Sequence, residues 1–324
     1  MTTRNPAVLV LEGDVPPPRL AAIGRLADVR RTRADGLAEA LPGAEVLFLW
    51  DFWSDAVAAA WPHADALRWV HIASAGVDRL LFPGLVESDV VVTNSRGVFD
   101  EPIAEYVLGV VLSFAKDLHT TVRLQDRREW RHRETERITG ARVLVVGTGP
   151  IGRAIGRRLS AVGMAVSGLG RTGRTGDPDL GEVRPFGELH RALADADYVV
   201  LAAPLTDLTR DMIDAGALAR MRPSARLINV GRGGLVVEKA LVDALSEGRI
   251  AGAALDVFAT EPLAESSPLW TLPNVLVSPH MSGDTIGWRD ELSGLFLDNL
   301  GRYRDGRPLV NVVDKKLGYV TRGT

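Results

Sequence analysis

The sequence predicts a parallel α/β protein built from two doubly wound sheets. Three observations predict it. Short apolar runs alternate with stretches of helical period along nearly the whole chain. A glycine-rich G-x-G-x-x-G turn stands between one such run and the helical stretch that follows. The length, 324 residues, suffices for two domains with a core each.

In chain order, "AVLVLEG" (7–13), "AEVLFLW" (44–50), "LRWVHIAS" (67–74) and "VVVTNS" (90–95) read as strands, with helical segments at 19–29 and after Asp51. A long apolar helix is predicted over 102–118, with Pro102 in its first turn, where helices favour proline. A second series follows, with strands "ARVLVVG" (141–147), "AVSGLG" (165–170), "ADYVVLAA" (196–203), "ARLINVG" (225–231), "IAGAALDVF" (250–258) and "NVLVSPH" (274–280). The segments between them, "PIGRAIGRRLSAVG", "FGELHRALADA" and "GGLVVEKALVDALSEGR", read as amphipathic helices, and a last helix at 288–304 precedes an irregular tail. The charged stretch "DRREWRHRETER" (126–137) reads as a solvated helix face or arm.

Composition narrows the function classes. Apolar content of 46% and charged content of 24% are ordinary for a globular protein. A net charge of −3 gives no general affinity for nucleic acid or anionic membrane. There is no cysteine, which excludes disulfides, thiolate nucleophiles and zinc–thiolate sites. The N-terminus has too short an apolar run for a secretory leader, and "YVLGVVLSFA" is too short to span a bilayer, so the expected compartment is the cytoplasm.

The strongest motif is "VVGTGPIGRAIG", in which Gly147, Gly149 and Gly152 occupy the three glycine positions of a dinucleotide turn. The first makes the tight turn, the second lets the backbone approach a pyrophosphate, and the third lets helix and strand pack closely. The helix N-terminus favours the phosphate charge. About 20 residues on, an NAD site presents an acid to the ribose 2′-OH. Here the strand ends at Gly170, which predicts open space, and Arg171, Thr172 and Arg174 follow. A carboxylate repels a 2′-phosphate, whereas guanidinium groups bind it through charge-assisted bonds. Asp177 and Asp179 lie beyond a Gly-Arg-Thr-Gly loop, out of reach of that site. The cofactor expected is therefore NADP(H) in preference to NAD(H).

Three further residues sit at or just after predicted strand ends: Arg232 in "NVGRGGLV", Glu261 in "LDVFATEPL" and His280 in "VLVSPHMSG". Ligands of an open parallel sheet bind at that edge. Together the three supply an anion clamp, a carboxylate and a titratable imidazole, the functions that reduction of a 2-oxo acid requires. Arginine holds the substrate carboxylate and polarises the carbonyl. Histidine donates the proton, and a glutamate bonded to the imidazole keeps it protonated near neutral pH.

With these motifs, and with "SAGVDRL" (74–80) and "AAPLTDLT" (202–209), the chain resembles the D-isomer-specific 2-hydroxyacid dehydrogenase family over essentially its whole length. The resemblance implies a Rossmann cofactor domain, 99–288, inserted in a flavodoxin-like substrate domain made of 1–98 and the returning segment 289–324, with the substrate in the cleft between. It implies that Ala75, Gly76 and Val77 bind the substrate carboxylate through backbone N–H groups. It implies that Asp256 contacts the nicotinamide amide, and that Pro150, Ile151, Pro204, Thr209, Val230, Gly231 and Gly283 line the cofactor. The substrates implied are small 2-oxo acids such as glyoxylate or hydroxypyruvate, and the assembly implied is a homodimer formed around 102–138. Trp50, Phe52 and Trp53 follow the second strand and are expected to face the substrate. A short-chain reductase is excluded, because no tyrosine has a lysine four places on. A non-catalytic nucleotide-sensing co-regulator on the same fold, or an NAD-dependent member of the family, are the alternative readings.

Overall fold

A computed structural model describes residues 5–321 of the protein; the expectations for the first four and last three residues lie outside this range. The chain divides into two compact units. One takes the chain up to Val98 and again from Thr285 onward, and the other spans Phe99–Asp284. The second division thus falls at 284/285, a few residues ahead of the final helix, Trp288–Arg304.

The first unit holds a five-stranded parallel sheet of β1 (Ala7–Leu11), β2 (Asp28–Thr32), β3 (Val46–Leu49), β4 (Trp69–Ile72) and β5 (Val91–Thr93). Its order, β2-β1-β3-β4-β5, is the flavodoxin-like one. β3 and β4 are buried along their length, as parallel strands covered on both faces must be. β2 corrects the reading of 19–29 as one helix. The helix is only Leu20–Gly24, and the chain then lays down "DVRRT" as an edge strand. Its charges hide it from a pattern search and guard the open edge.

The second unit holds β6 (Arg142–Val146), β7 (Ala165–Gly170), β8 (Arg174–Asp177), β9 (Gly181–Pro185), β10 (Tyr198–Leu201), β11 (Arg226–Asn229), β12 (Gly252–Leu255) and β13 (Val275–Val277). Their order is β13-β12-β11-β10-β6-β7-β9-β8, parallel throughout except for the β8–β9 pair. The order reverses between β10 and β6, so the carboxyl ends of these two strands form the switch point where such sheets bind ligands. The apolar faces of β10 and β11 pack with Leu193, Leu218, Leu241 and Leu245 into one core. The helix Asp100–Ala115 buries Val107, Val111 and Phe114. No helix among the described residues is long and apolar enough to cross a membrane.

β8 and β9 were not expected in "RTGRTGDPDLGEVRP". Glycine and aspartate disfavour strands, and here a buried ionic hub supplies what side-chain packing does not. Arg153, one residue past the third glycine, donates to Asp177 at 2.7 and 3.0 Å and to Asp179 at 2.8 Å. Asp177 also accepts from Arg174 Nε at 2.7 Å and from the N–H groups of Asp179 and Leu180. Burial pushes the Asp177 carboxyl up, but these donors outweigh it and hold the group far below the usual carboxylate range. Arg153→Ala leaves this carboxylate buried without its main partner, and such losses cost about 3–5 kcal/mol. The expected result is a marked fall in melting temperature at neutral pH. Because the folded-state value is depressed, the contribution is complete above the ordinary carboxylate range and is lost as pH falls. The gap between variant and parent in thermal melts should therefore narrow on acidification.

Candidate active site

Five loops leave the carboxyl edge of the second sheet near its switch point, after β6, β10, β11, β12 and β13. The first is the glycine turn. Gly147 has φ +106°, and a Cβ there would lie 2.6 Å from the Ala202 carbonyl oxygen. A Cβ on Gly152 would lie 1.9 Å from the Gly147 oxygen. Only glycine fits either place. Gly149 differs: nothing stands within 4 Å of its Cβ position. It precedes the helix Pro150–Ala161, whose first N–H groups have no partner within the helix. An open cradle at a twelve-residue helix N-terminus fits the pyrophosphate of a dinucleotide. Pro150 and Ile151 form the first turn of that helix, half-buried beside the cradle.

The loop after β11 carries Arg232. Asn229, 1% exposed, shapes it by accepting from Gly231 N–H at 3.1 Å and donating to the Arg232 carbonyl at 2.9 Å. Gly233 then lets this loop touch the loop after β12, since a Cβ there would sit 1.9 Å from the Phe258 carbonyl group. That contact brings Arg232 beside Glu261. Glu261 Oε1 accepts from Phe258 N–H at 2.9 Å, and Oε2 lies 2.8 Å from His280 Nδ1. A carboxylate only accepts, so Nδ1 carries the proton of this hydrogen bond. Burial pushes the Glu261 carboxyl up. The bonds from His280 and Phe258, aided by the charges of His280 and Arg232, outweigh it and hold the group below the usual range.

His280 has φ +53°, a left-handed conformation that costs a non-glycine residue roughly 1–3 kcal/mol. Asp256 over-determines it. Its carbonyl accepts from His280 N–H at 2.8 Å, Oδ1 accepts from Ser278 Oγ at 2.6 Å and Met281 N–H at 2.9 Å, and Oδ2 accepts from Ser282 N–H at 3.0 Å. Since Ser278 donates to the carboxylate, Tyr106 must donate to Ser278 across their 2.6 Å contact.

Asp256, 1% exposed, braces the histidine turn through both carboxylate oxygens. Thr209 closes its own loop, donating to the Pro204 carbonyl at 2.7 Å and accepting from Thr206 N–H at 2.9 Å. Gly283 is buried against Phe99, where a Cβ would lie 2.7 Å from the ring. Arg174 is already bonded to Asp177, because β8 folds the loop back on itself and brings the acid within reach. The space at Gly170 is not open: a Cβ there would lie 2.9 Å from Thr148 Cγ2. Pro204 is exposed, Val230 and Gly231 are buried, and Arg171 and Thr172 are exposed after β7.

In the first unit, Ala75, Gly76 and Val77 follow β4. Ser74 Oγ holds the Gly76 carbonyl at 2.6 Å and Asn94 Nδ2 holds that of Ala75 at 2.6 Å. Among the described residues no hydrogen bond uses the N–H groups of residues 75–77. Trp50 is buried and donates Nε1–H to the Val15 carbonyl. Trp53 is exposed under the Arg79 guanidinium, 5.4 Å from its ring centre.

Sequence reasoning missed Asn229, Ser278, Tyr106 and Thr148. Asn229 carried a signal, an asparagine two residues before a glycine at a strand end. Tyr106 carried none, since its partner is 172 residues away.

The model of the D-isomer specific 2-hydroxyacid dehydrogenase NAD-binding domain matches residues 108–282. A glyoxylate reductase of Thermococcus gammatolerans is 32% identical over 266 residues, 79% of this chain and 78% of the relative. Two solved structures cover 97% of this chain with 100% of their own. A D-isomer specific 2-hydroxyacid dehydrogenase of Xanthobacter autotrophicus in complex with NADPH and MES has a TM-score of 0.84 at 31% identity. An NADPH-dependent glyoxylate/hydroxypyruvate reductase of Sinorhizobium meliloti in complex with NADP and sulfate has a TM-score of 0.83 at 28% identity.

Proposed function

The chain belongs to the D-isomer specific 2-hydroxyacid dehydrogenase family, an NAD(P)-dependent oxidoreductase family, and from that premise we propose that it reduces a small 2-oxo acid to the D-2-hydroxy acid with NADPH. The observation that carries this reading is the 2.8 Å contact of His280 Nδ1 with Glu261 Oε2 beside Arg232, at the carboxyl edge of the dinucleotide sheet. The bound nicotinamide supplies the hydride. Arg232 polarises the carbonyl and grips the carboxylate. His280 Nε2 gives the proton to the developing alkoxide and ends neutral, while Nδ1–H stays on Glu261. The substrate class follows the glyoxylate and glyoxylate/hydroxypyruvate reductases that the chain is similar to.

The preference for NADPH rests on the missing acid at Gly170 and the cation at Arg171. Arg174 contributes only through its terminal nitrogens, since Nε is held by Asp177. A homodimer formed through the helix Leu118–Asp126 and the arm after it completes the reading. Leu118, Val122 and Trp130 are exposed there, whereas the apolar face of Asp100–Ala115 is already buried.

Steady-state kcat/KM for glyoxylate and hydroxypyruvate with each reduced cofactor tests the proposal. NADPH should win mainly through KM, because the 2′-phosphate is remote from the hydride and binds alike in ground and transition states. Equal kcat/KM for the two cofactors would return Arg171 and Arg174 to solvated surface.

Glu261→Gln tests the pair. Reduction needs an imidazolium, so its rate falls as pH rises. Removing the neighbouring carboxylate disfavours the charged ring, and the alkaline limb of the profile should move to lower pH. An unmoved limb would uncouple Glu261 from proton donation.

A further inference from the structure

We propose that Thr148, the residue between the first two glycines of the dinucleotide turn, is a specificity-determining residue that selects a 2′-phosphorylated adenosine ribose. The inference rests on the cofactor reading above and deepens it.

β6 and β7 run side by side, with Val146 opposite Leu169, so Gly170 at the end of β7 stands beside the turn that follows β6. A Cβ on Gly170 would lie 2.9 Å from Thr148 Cγ2 and 3.1 Å from its Oγ1, closer than real Cβ atoms come. The threonine side chain therefore fills the volume into which a strand-end aspartate or glutamate would project. The two cannot coexist with the threonine side chain in this rotamer. The Cβ of Thr148 is not the obstacle: it lies 3.6 Å from the same point, an ordinary contact. Everything beyond Cβ is what excludes an acid.

The hydroxyl adds a chemical preference. Thr148 is half-buried, and among the described residues its Oγ1 makes no hydrogen bond. A neutral donor at this position suits a phosphate oxygen and does not repel it. A ribose 2′-OH loses the acceptor that a carboxylate would provide. The loop that follows is pinned to the same helix through Arg174, Asp177 and Arg153. Arg171 and Thr148 thus approach the phosphate from the two strand ends, and selection comes from exclusion of an anion as well as from attraction by a cation.

The test uses the full-length protein with adenosine 2′,5′-bisphosphate and adenosine 5′-monophosphate as probes in calorimetric titration, alongside NADPH and NADH kinetics. Thr148→Val keeps the shape and removes the hydroxyl. It should weaken bisphosphate binding about tenfold, the scale of one bond to a charged group, and leave the monophosphate nearly unchanged. Gly170→Asp alone should weaken both probes, because the new side chain meets Thr148. Thr148→Ala combined with Gly170→Asp should recover the monophosphate and NADH but not the bisphosphate. A bisphosphate preference retained in Thr148→Val, or Gly170→Asp alone behaving like the double variant, would overturn this inference and leave the cofactor reading standing. Equal binding of the two probes by the unmodified protein would remove that reading and this one with it.

Discussion

His280→Ala loses reduction of every 2-oxo acid by about 10²–10⁴-fold, the range for removal of a general acid, while its affinity for the dinucleotide is unchanged. The turn should survive the substitution, because Asp256 grips it through the backbone of residues 280–282 and through Ser278. Alanine is strained at φ +53°, so His280→Asn is the better partner variant: asparagine accepts the left-handed backbone readily. Both should be inactive and folded. More than half the parental kcat in either, with chemistry rate-limiting, would remove His280 from the reaction.

Arg232→Lys keeps the charge and should still lose about 10²–10³-fold in kcat/KM, comparable to deleting one donor at a developing oxyanion. Lysine cannot present a planar fork to a carboxylate and a carbonyl at once. Its backbone position is fixed independently by Asn229 and by the contact of Gly233 with Phe258, so the loss reports the side chain and not the loop. The deficit should appear with each 2-oxo acid and with either cofactor. Activity near the parent's would make Arg232 a structural residue.

The parts of the molecule that were legible in the sequence are those where burial dictates residue type. β10 and β11 are covered on both faces and read as continuous apolar runs. Gly147 and Gly152 are readable because no other residue fits against the Ala202 and Gly147 backbones. Arg232, Glu261 and His280 are readable because parallel strands deliver all their carboxyl ends to one edge. What escaped was edge or long-range. β2 and β8 lie at sheet edges and carry charge or glycine where a pattern search wants valine. The pairing of Asp177 with Arg174 at 2.7 Å depends on β8 folding back, which the glycine-rich spacing does not reveal. The filling of the Gly170 space by Thr148 joins residues on different strands, and no local spacing encodes it. Asp256 shows the converse. Its position is marked by the motif, but its hydrogen bonds to a turn more than twenty residues on are not.

The most direct test of the central claim, that Arg232, Glu261 and His280 form a working reductase site, is chiral analysis of the product formed from hydroxypyruvate and NADPH by the unmodified protein. Stoichiometric consumption of NADPH and accumulation of the D-hydroxy acid alone are expected, with neither seen for His280→Asn. Binding of NADPH without turnover of any 2-oxo acid, or a product of the L configuration, would contradict it.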